Sequence, residues 1–565
     1  MLKVKKNILT KIIGIFATSL FIFGAFIIYF KLAVIIKPPV PDDLSPLMYR
    51  REKAGNDFYK CKNNWLRKSK SGLWEMYIEG KPFEMGIVNG LLAKELIHSQ
   101  EKAFVNEIKK MVPSDFYRSF LKYFVAWFNR NIPEYIEKDY QLEIYGISKS
   151  ASDEFSDIGN PYMRILNYHA AHDIGHAIQN MNIVGCTSFA AWNSFTNDSS
   201  LIIGRNFDFY VSDDFAKDKI VCFCKPDKGY KFMYITWGGM IGVVSGMNEK
   251  GLTVTLNAAK SGIPFSSKTP VSILAREILQ YSKNIHDAYE IAKKHDIFIS
   301  ESFLIGSAED NKAAIIEKSN NNIDLVYTNK DYLICTNHFQ GNSFKNEQLN
   351  IENIKNSSSM YRYKRMEELM KKYKKIDYKS AAEILRDRKG LNNTDIGMGN
   401  EKSVNQLIAH HSIIFNPSKL LVWVSAGPFQ EGSYIAYDLK KIFSEYPGLK
   451  NNIEISEDNL SILPDTFLFS ANFKKFEKFK QYKKLISDHI KNDESEDIDD
   501  NLIKSFIESN PQYYYVYSLA GDYYRSHGKY KKAIGLYNLA LKKEITTIGD
   551  NKRIHDALKK CYENE

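Results

Sequence analysis

The chain has 565 residues, 44% of them hydrophobic and 25% charged. That is a globular composition too long for one core, so two or three folding units are expected. The formal charge of +10 comes mostly from lysines scattered along the chain, not from an Arg/Lys stripe with aromatic neighbours, which argues against a nucleic-acid-binding protein and leaves an anionic surface or acidic substrate open. Cys61, Cys186, Cys222, Cys224, Cys335 and Cys561 form no CxxC pair, so no zinc, redox or disulfide framework is indicated. Cys222 and Cys224 read as two positions on one face of a strand.

Lys3, Lys5, Lys6 and Lys11 precede an uncharged run from Ile12 to Phe30. The run is just long enough to cross a hydrocarbon core, and no small-residue cleavage site follows it. The larger positive charge before it predicts a single-pass membrane anchor over residues 1–37, with a cytoplasmic N-terminus and an extracytoplasmic body. A cleaved signal peptide is the alternative. Lys37-Pro38-Pro39-Val40-Pro41 then reads as a stiff linker.

Residues 38–185 are expected to be a mostly helical proregion. Phe83 to Leu92 looks like a helix packed closely through its glycines. Phe116 to Ile132 and Tyr162 to Ile178 are further amphipathic candidates. In the last of these His169, His172 and His176 share one helical face. The stretch has no HExxH glutamate and no further ligand in view, so the three read as structural histidines rather than a metal site.

From Cys186 to about Tyr437 the pattern changes to short β-type runs. Strands are expected at 200–203, 219–224, 231–236 and 251–256. Helices are expected at Val271 to Tyr281 and Ile285 to Lys294. Strands follow at 303–306, 313–317, 332–336, 412–415 and 420–425. Strands, helices and strands again suggest two sheets between helical layers. The remainder, 438–565, reads as helical. It has an acidic loop at 492–497 and one tetratricopeptide-like hairpin over 517–541. A single hairpin is a cap on the body or a contact for a protein partner, not a peptide-binding array.

The chemistry centres on Gly185-Cys186. A thiol at an internal Gly-Cys bond can attack its own preceding carbonyl. Hydrolysis of the resulting thioester leaves a cysteine with a free α-amine. That amine has an ordinary pKa of about 8 and can act as base without a histidine. Arg205 and Asp208 follow on a strand end, where a guanidinium favours thiolate and a carboxylate can hold the amine. Asn257 ends a strand after the turn Gly246-Met247-Asn248-Glu249-Lys250-Gly251, and its amide suits an oxyanion donor. Asn337 offers a second amide, and Arg362 and Arg365 come next. Singly each has a structural reading: a turn asparagine, a capping aspartate, a surface arginine, a buried thiol.

Taken in order, Gly185-Cys186-Thr187, Gly204-Arg205-Asn206-Phe207-Asp208, the 246–251 turn with Leu252 and Asn257, Thr336-Asn337, Arg362-x-x-Arg365 and Ala426-Gly427-Pro428 resemble the N-terminal nucleophile hydrolases. The resemblance is to the acyl-coenzyme A:6-aminopenicillanic acid acyltransferase family and its relatives, the choloylglycine hydrolases. It covers residues 185–428. It implies an α+β, four-layer αββα sandwich over 186–437, with Cys186 as nucleophile and, through its new amine, base. It further implies that Asp208 orients the amine with Arg205 beside it. Asn257 would donate to the oxyanion, and Asn337 and Arg362 would complete the polar network. No metal or organic cofactor is called for. The expected activity is cleavage of a linear amide through a thioester at Cys186, with transfer to water or an amine. An extracytoplasmic body disfavours an acyl-coenzyme A donor. The alternatives are a non-catalytic scaffold of the same fold and a lipid-amide or phospholipid hydrolase using the same site.

Overall fold

The computed structural model describes residues 2–178, 185–209, 213–260, 262, 267–492 and 496–565. The expected helix continuation at 179–181 and parts of the 262–269 and 492–497 loops lie outside the described residues, as do the side chains of His172 and His176.

Among the described residues the chain forms two sheets, of 11 and 6 strands. The larger runs Glu52–Gly55, Phe58–Cys61, Asn64–Lys68, Trp74–Gly80, Ile220–Pro226, Phe232–Thr236, Ser245–Asn248, Leu252–Ala258, Glu301–Ser307, Lys312–Lys318 and Ile323–Val326 from edge to edge. The smaller runs Tyr332–Cys335, Thr187–Asn193, Ser199–Phe207, His411–Asn416, Leu421–Ser425 and Tyr434–Asp438. Tyr77, Val221, Phe223, Met233 and Leu304 of the first sheet pack against Ile203, Ile413, Val422 and Val424 of the second. Outside the larger sheet lie the helices Pro82–Leu92, Lys138–Ser148, Pro161–Ile178, Val271–Tyr281 and Ile285–Lys294. Outside the smaller lie Ser359–Lys372 and Tyr378–Leu385. Helix, sheet, sheet and helix thus stack as four layers.

After Cys186 the expected strands are present and both central helices match end to end, while the helices Gln348–Asn356, Ser359–Lys372 and Tyr378–Leu385 were not expected. The segment before Cys186 departs from expectation. Residues 52–80 were expected in a helical region and instead supply four strands. The last of them pairs in parallel with the strand from Ile220, Trp74 against Ile220 through Gly80 against Pro226. Left-handed residues at Asp57, Lys62 and Gly72 close the hairpins between them, and short Asn/Asp/Gly turns of this kind are the local signature of strand reversal. The proregion is therefore mixed, and it completes the larger sheet. Its glycine-packed helix is present: a Cβ on Gly86 would sit 2.0 Å from the Glu143 carbonyl oxygen of the neighbouring helix.

Residues Leu2–Ala33 form one helix, yet among the described residues no helix is long and apolar enough to cross a membrane. The C-terminal part is helical, with Ala471–Lys491, Asp500–Ser509, Tyr514–Ser526, Tyr530–Ala540 and Ile548–Asn564 around one core of Phe479, Phe506, Tyr523 and Tyr537. Tyr514–Ser526 and Tyr530–Ala540 make a helical pair that turns at Gly528, packed into this larger unit rather than standing as a tetratricopeptide-like hairpin. Leu407, from the loop ahead of the strand His411–Asn416, joins the same core.

Candidate active site

Strand alternation explains which side chains meet. Along Leu252–Ala258 the residues Leu252, Val254 and Leu256 face the helical layer. The alternate positions Thr253, Thr255 and Asn257 therefore point into the gap between the sheets. On Ser199–Phe207 the residues Leu201 and Ile203 face that gap, and period two puts Arg205 there as well. Cys186 immediately precedes Thr187–Asn193, whose Ser188 pairs in register with Arg205.

Cys186 is 1% exposed. Arg205 Nη2 stands 3.7 Å from its sulfur. The guanidinium is fixed by donation to the Leu256 carbonyl and the Ser245 hydroxyl, and it lies 4.2 Å over the Phe207 ring. Ser245 Oγ in turn meets His411 Nε2 at 2.9 Å. Burial pushes the Cys186 thiol up to about 11; Arg205 is the strongest opposing pull, and Asp208 adds to the rise.

Arg362 reaches in from the helix Ser359–Lys372. Its Nη1 donates to the Cys186 carbonyl at 2.7 Å and to Thr187 Oγ1 at 2.8 Å, and its Nη2 donates to Asn337 Oδ1 at 2.8 Å. Asn337 Nδ2 donates to the Ala258 carbonyl at 2.9 Å. Asn257 accepts from Ser188 Oγ at 2.5 Å and donates to the Cys335 carbonyl at 3.2 Å. The Asp208 carbonyl accepts from Gly185 N at 3.1 Å. Burial raises the Asp208 carboxyl to about 7 against the pull of Arg362 and Arg205. Its Oδ1 is buried and has no hydrogen-bond partner among the described residues. An unpaired buried carboxylate oxygen is costly, and here it is available to a group not yet formed, such as a new α-amine.

Cys186, Arg205, Asp208, Arg362 and Asn337 thus lie in one hydrogen-bonded neighbourhood, joined by Asn257 through Ser188. In the intact chain the Asn257 amide is committed to the Cys335 carbonyl. Arg365 stands apart, bound to Asp387 and Glu368 at 2.8 Å. Sequence reading missed Ser245, His411 and above all Gln406, whose Nε2 donates to the Gly185 carbonyl at 2.8 Å. Asn400, Ser403, Asn405, Gln406, His410 and His411 are all buried, so the signal was a polar run that folds inward. His169 is occupied by backbone: Nδ1 meets the Ile165 carbonyl at 2.8 Å and Nε2 accepts from Ile241 N at 2.9 Å. Burial lowers it to about 4, as expected of a neutral structural histidine.

Beside Gly185 opens a cavity of about 60 Å³. Lys260, Asn353, Ser357, Glu401, Thr546 and Thr547 line it with the site residues, so the C-terminal unit forms part of its wall. A larger cavity of about 640 Å³ lies wholly within the C-terminal helices, away from the thiol.

Residues 195–431 match the sequence profile of the acyl-coenzyme A:6-aminopenicillanic acid acyl-transferase family. A curated relative from Archaeoglobus fulgidus, described as an uncharacterized protein, is 25% identical over 277 residues, 46% of each chain. Protein dcd1B of Dictyostelium discoideum is 22% identical over 273 residues, 43% of this chain and 50% of its own. This chain spans about half the length of the curated relatives it matches. Among solved structures it is similar to the Caenorhabditis elegans ortholog of N-acylethanolamine-hydrolyzing acid amidase, at 19% identity and a TM-score of 0.31, over 41% of this chain and 93% of that one. It is also similar to the conjugated bile acid hydrolase from Clostridium perfringens, at 14% identity and a TM-score of 0.32, over 48% and 96%.

Proposed function

We propose that the protein is a self-processing cysteine amidohydrolase, with acyl transfer to an amine as its alternative outcome, acting on a linear amide at Cys186. The observation that carries this is the enclosure of one thiol and one Gly-Cys bond by two guanidiniums and a carboxyl group, one of whose buried oxygens has no partner among the described residues. The family match supports an amide or acyl-transfer chemistry. In the mature enzyme the Cys186 α-amine takes the thiol proton, and Sγ attacks the acyl carbonyl. The tetrahedral intermediate collapses as the proton passes to the leaving nitrogen. Water or an amine then releases the acyl group from sulfur. Arg205 favours thiolate, Asp208 holds the amine, Asn337 and Arg362 keep the Cys186 backbone in place, and Asn257 supplies the oxyanion donor once its contact to Cys335 shifts.

The small cavity is lined by Lys260, Asn337, Asn353, Glu401 and Gln406 together with Ala258, Ala259 and the carbon surface of its polar residues, so it offers a substrate both hydrogen bonds and apolar contact. Membrane association through the N-terminal helix is inferred from its uncharged run and from exposed Ile15, Phe16 and Phe21. The extracytoplasmic placement of the body rests on the lysine asymmetry of the sequence alone.

Intact mass and N-terminal sequencing of wild type beside Cys186→Ala test the proposal. A chain beginning at Cys186 in wild type only is expected. One uncleaved chain in both would remove the base from the mechanism and favour the scaffold reading.

A further inference from the structure

We infer that Gln406 is the oxyanion donor of self-cleavage, and that the C-terminal helical unit holds it in place; this rests on the self-processing reading above. The carbonyl that Sγ must attack is that of Gly185. Gln406 Nε2 donates to that oxygen at 2.8 Å and stands 3.5 Å from Asp208 Oδ2. Both neighbours accept hydrogen bonds, so the amide nitrogen, not its oxygen, faces them. The side chain is 2% exposed, where a fixed dipole acts on developing charge with little screening.

The residue at 185 is set by the same contact. A Cβ there would sit 2.2 Å from Gln406 Nε2, so only glycine lets the amide close on the carbonyl. When Sγ bonds to the Gly185 carbon, the negative charge develops on the oxygen that Gln406 already holds. Collapse breaks the Gly185–Cys186 peptide bond and forms the thioester. The thiol proton ends on the released α-amine. Water then hydrolyses the thioester to the Gly185 carboxylate and the free thiol.

The Gln406 loop hangs on the C-terminal helices. Asn400 Nδ2 donates to the Glu544 carbonyl at 3.1 Å, and Lys402 pairs with Glu544 at 2.5 Å. Glu401 accepts from Tyr513 and Thr546 at 3.1 and 2.7 Å. Met398 N donates to Asn510 at 3.0 Å, and Leu407 is buried in the helical core. These contacts give the appended helices a part in positioning a reacting-site group.

The test follows cleavage of the full chain by intact mass, wild type beside Gln406→Met, with a melting curve for each. Methionine keeps the bulk and removes the donor. Loss of one oxyanion donor slows such steps about 10²–10³-fold, so a folded Gln406→Met chain is expected to accumulate uncleaved while wild type is cut. Equal cleavage in both would overturn the assignment and leave self-processing intact. An uncut wild type would remove the self-processing reading and this assignment together. Where Gln406→Met fails to melt cooperatively, Gln406→Asn replaces it: the amide is withdrawn by one methylene, and an undiminished rate overturns the assignment while a slowed one supports it.

Discussion

On the proposed self-processing mechanism, the proton on Cys186 should set the pace of cleavage. Among the described residues no carboxylate or imidazole hydrogen-bonds the thiol; the Arg205 guanidinium stands 3.7 Å from it. Burial raises it to about 11. At pH 7 only about one thiol in 10⁴ is then ionised, against about 3% for an ordinary cysteine. If attack proceeds through thiolate, the rate rises about tenfold per pH unit from 7 to 10. The assay is cell-free synthesis followed by transfer into buffers across that range, with cleavage read by mass. Arg205→Met should lower the rate most at neutral pH, because it removes the strongest pull holding the thiol down. A rate that levels off just above pH 7 would refute this reasoning. It would assign the proton to Asp208, whose carboxyl is raised to about 7.

Cleavage is expected to leave the two pieces together. Trp74–Gly80 lies in the middle of a sheet, paired in parallel with Ile220–Pro226, and Trp65, Leu66, Met76, Tyr77 and Ile78 are buried. At about 1.5–3 kcal/mol for each such side chain, the pieces should co-elute on size exclusion at nanomolar concentration; separation without denaturant would contradict the sheet pairing. Gly86→Ala should lower the melting temperature of the Cys186→Ala chain by an amount equivalent to about 1–3 kcal/mol or more. The new Cβ meets the Glu143 carbonyl, which cannot move without its helix, and an unchanged melting point would show that the helices part freely. Asp208→Asn, made in the same uncleaved background, tests the buried carboxyl. The folded pKa lies above the ordinary 3.8, so the native state binds the proton more tightly than the unfolded chain. Wild-type stability therefore falls as pH rises from about 4 to about 7 and is level beyond. The asparagine variant should melt higher than its parent at pH 8, with the difference shrinking toward pH 4; a difference independent of pH would mean Asp208 is not the titrating group.

Much of the catalytic body was legible because its strands are fully buried apolar runs bounded by turn residues, and because two helices carry clean amphipathic periods. Arg205, Asp208 and Asn257 could be singled out because each is a polar residue at the end of an apolar strand. The strands at 52–80 were harder. Glu52, Lys53, Lys60, Arg67, Lys68 and Glu75 interrupt the apolar pattern, and the burial of Arg67 and Glu75 depends on partners far along the chain. Arg67 pairs with Glu75 at 2.8 Å and is also held by Glu454, and Tyr437 donates to Glu75 at 2.9 Å. No local window contains that information. Gln406 was invisible for the same reason. Its meaning lies in a 2.8 Å contact to a residue 221 positions earlier, and a buried glutamine in a loop has no periodicity to announce it.

Both groups the mature enzyme would use are held back in the intact chain. The thiol is pushed up to about 11 and the carboxyl to about 7, and Asp208 Oδ1 lacks a partner among the described residues. Cleavage changes all three at once. It places an ammonium or amine on Cys186 itself, gives Asp208 Oδ1 a cationic donor within reach, and lowers the cost of both charges by pairing them. The same step turns the Gly185 carbonyl that Gln406 Nε2 holds into a carboxylate beside the small cavity. Activity toward an external amide should therefore appear only with the new amine. The decisive comparison is between the cleaved enzyme and a chain in which Cys186 is present but the Gly185–Cys186 bond is blocked by Gly185→Pro. That substitution withdraws the Gly185 N–H from Asp208 and crowds Gln406, so its fold is checked by melting first. Amide hydrolysis by the folded, uncleaved chain at the wild-type rate would show that the thiol works without its own amine, and the mechanism argued from Asp208 would fall.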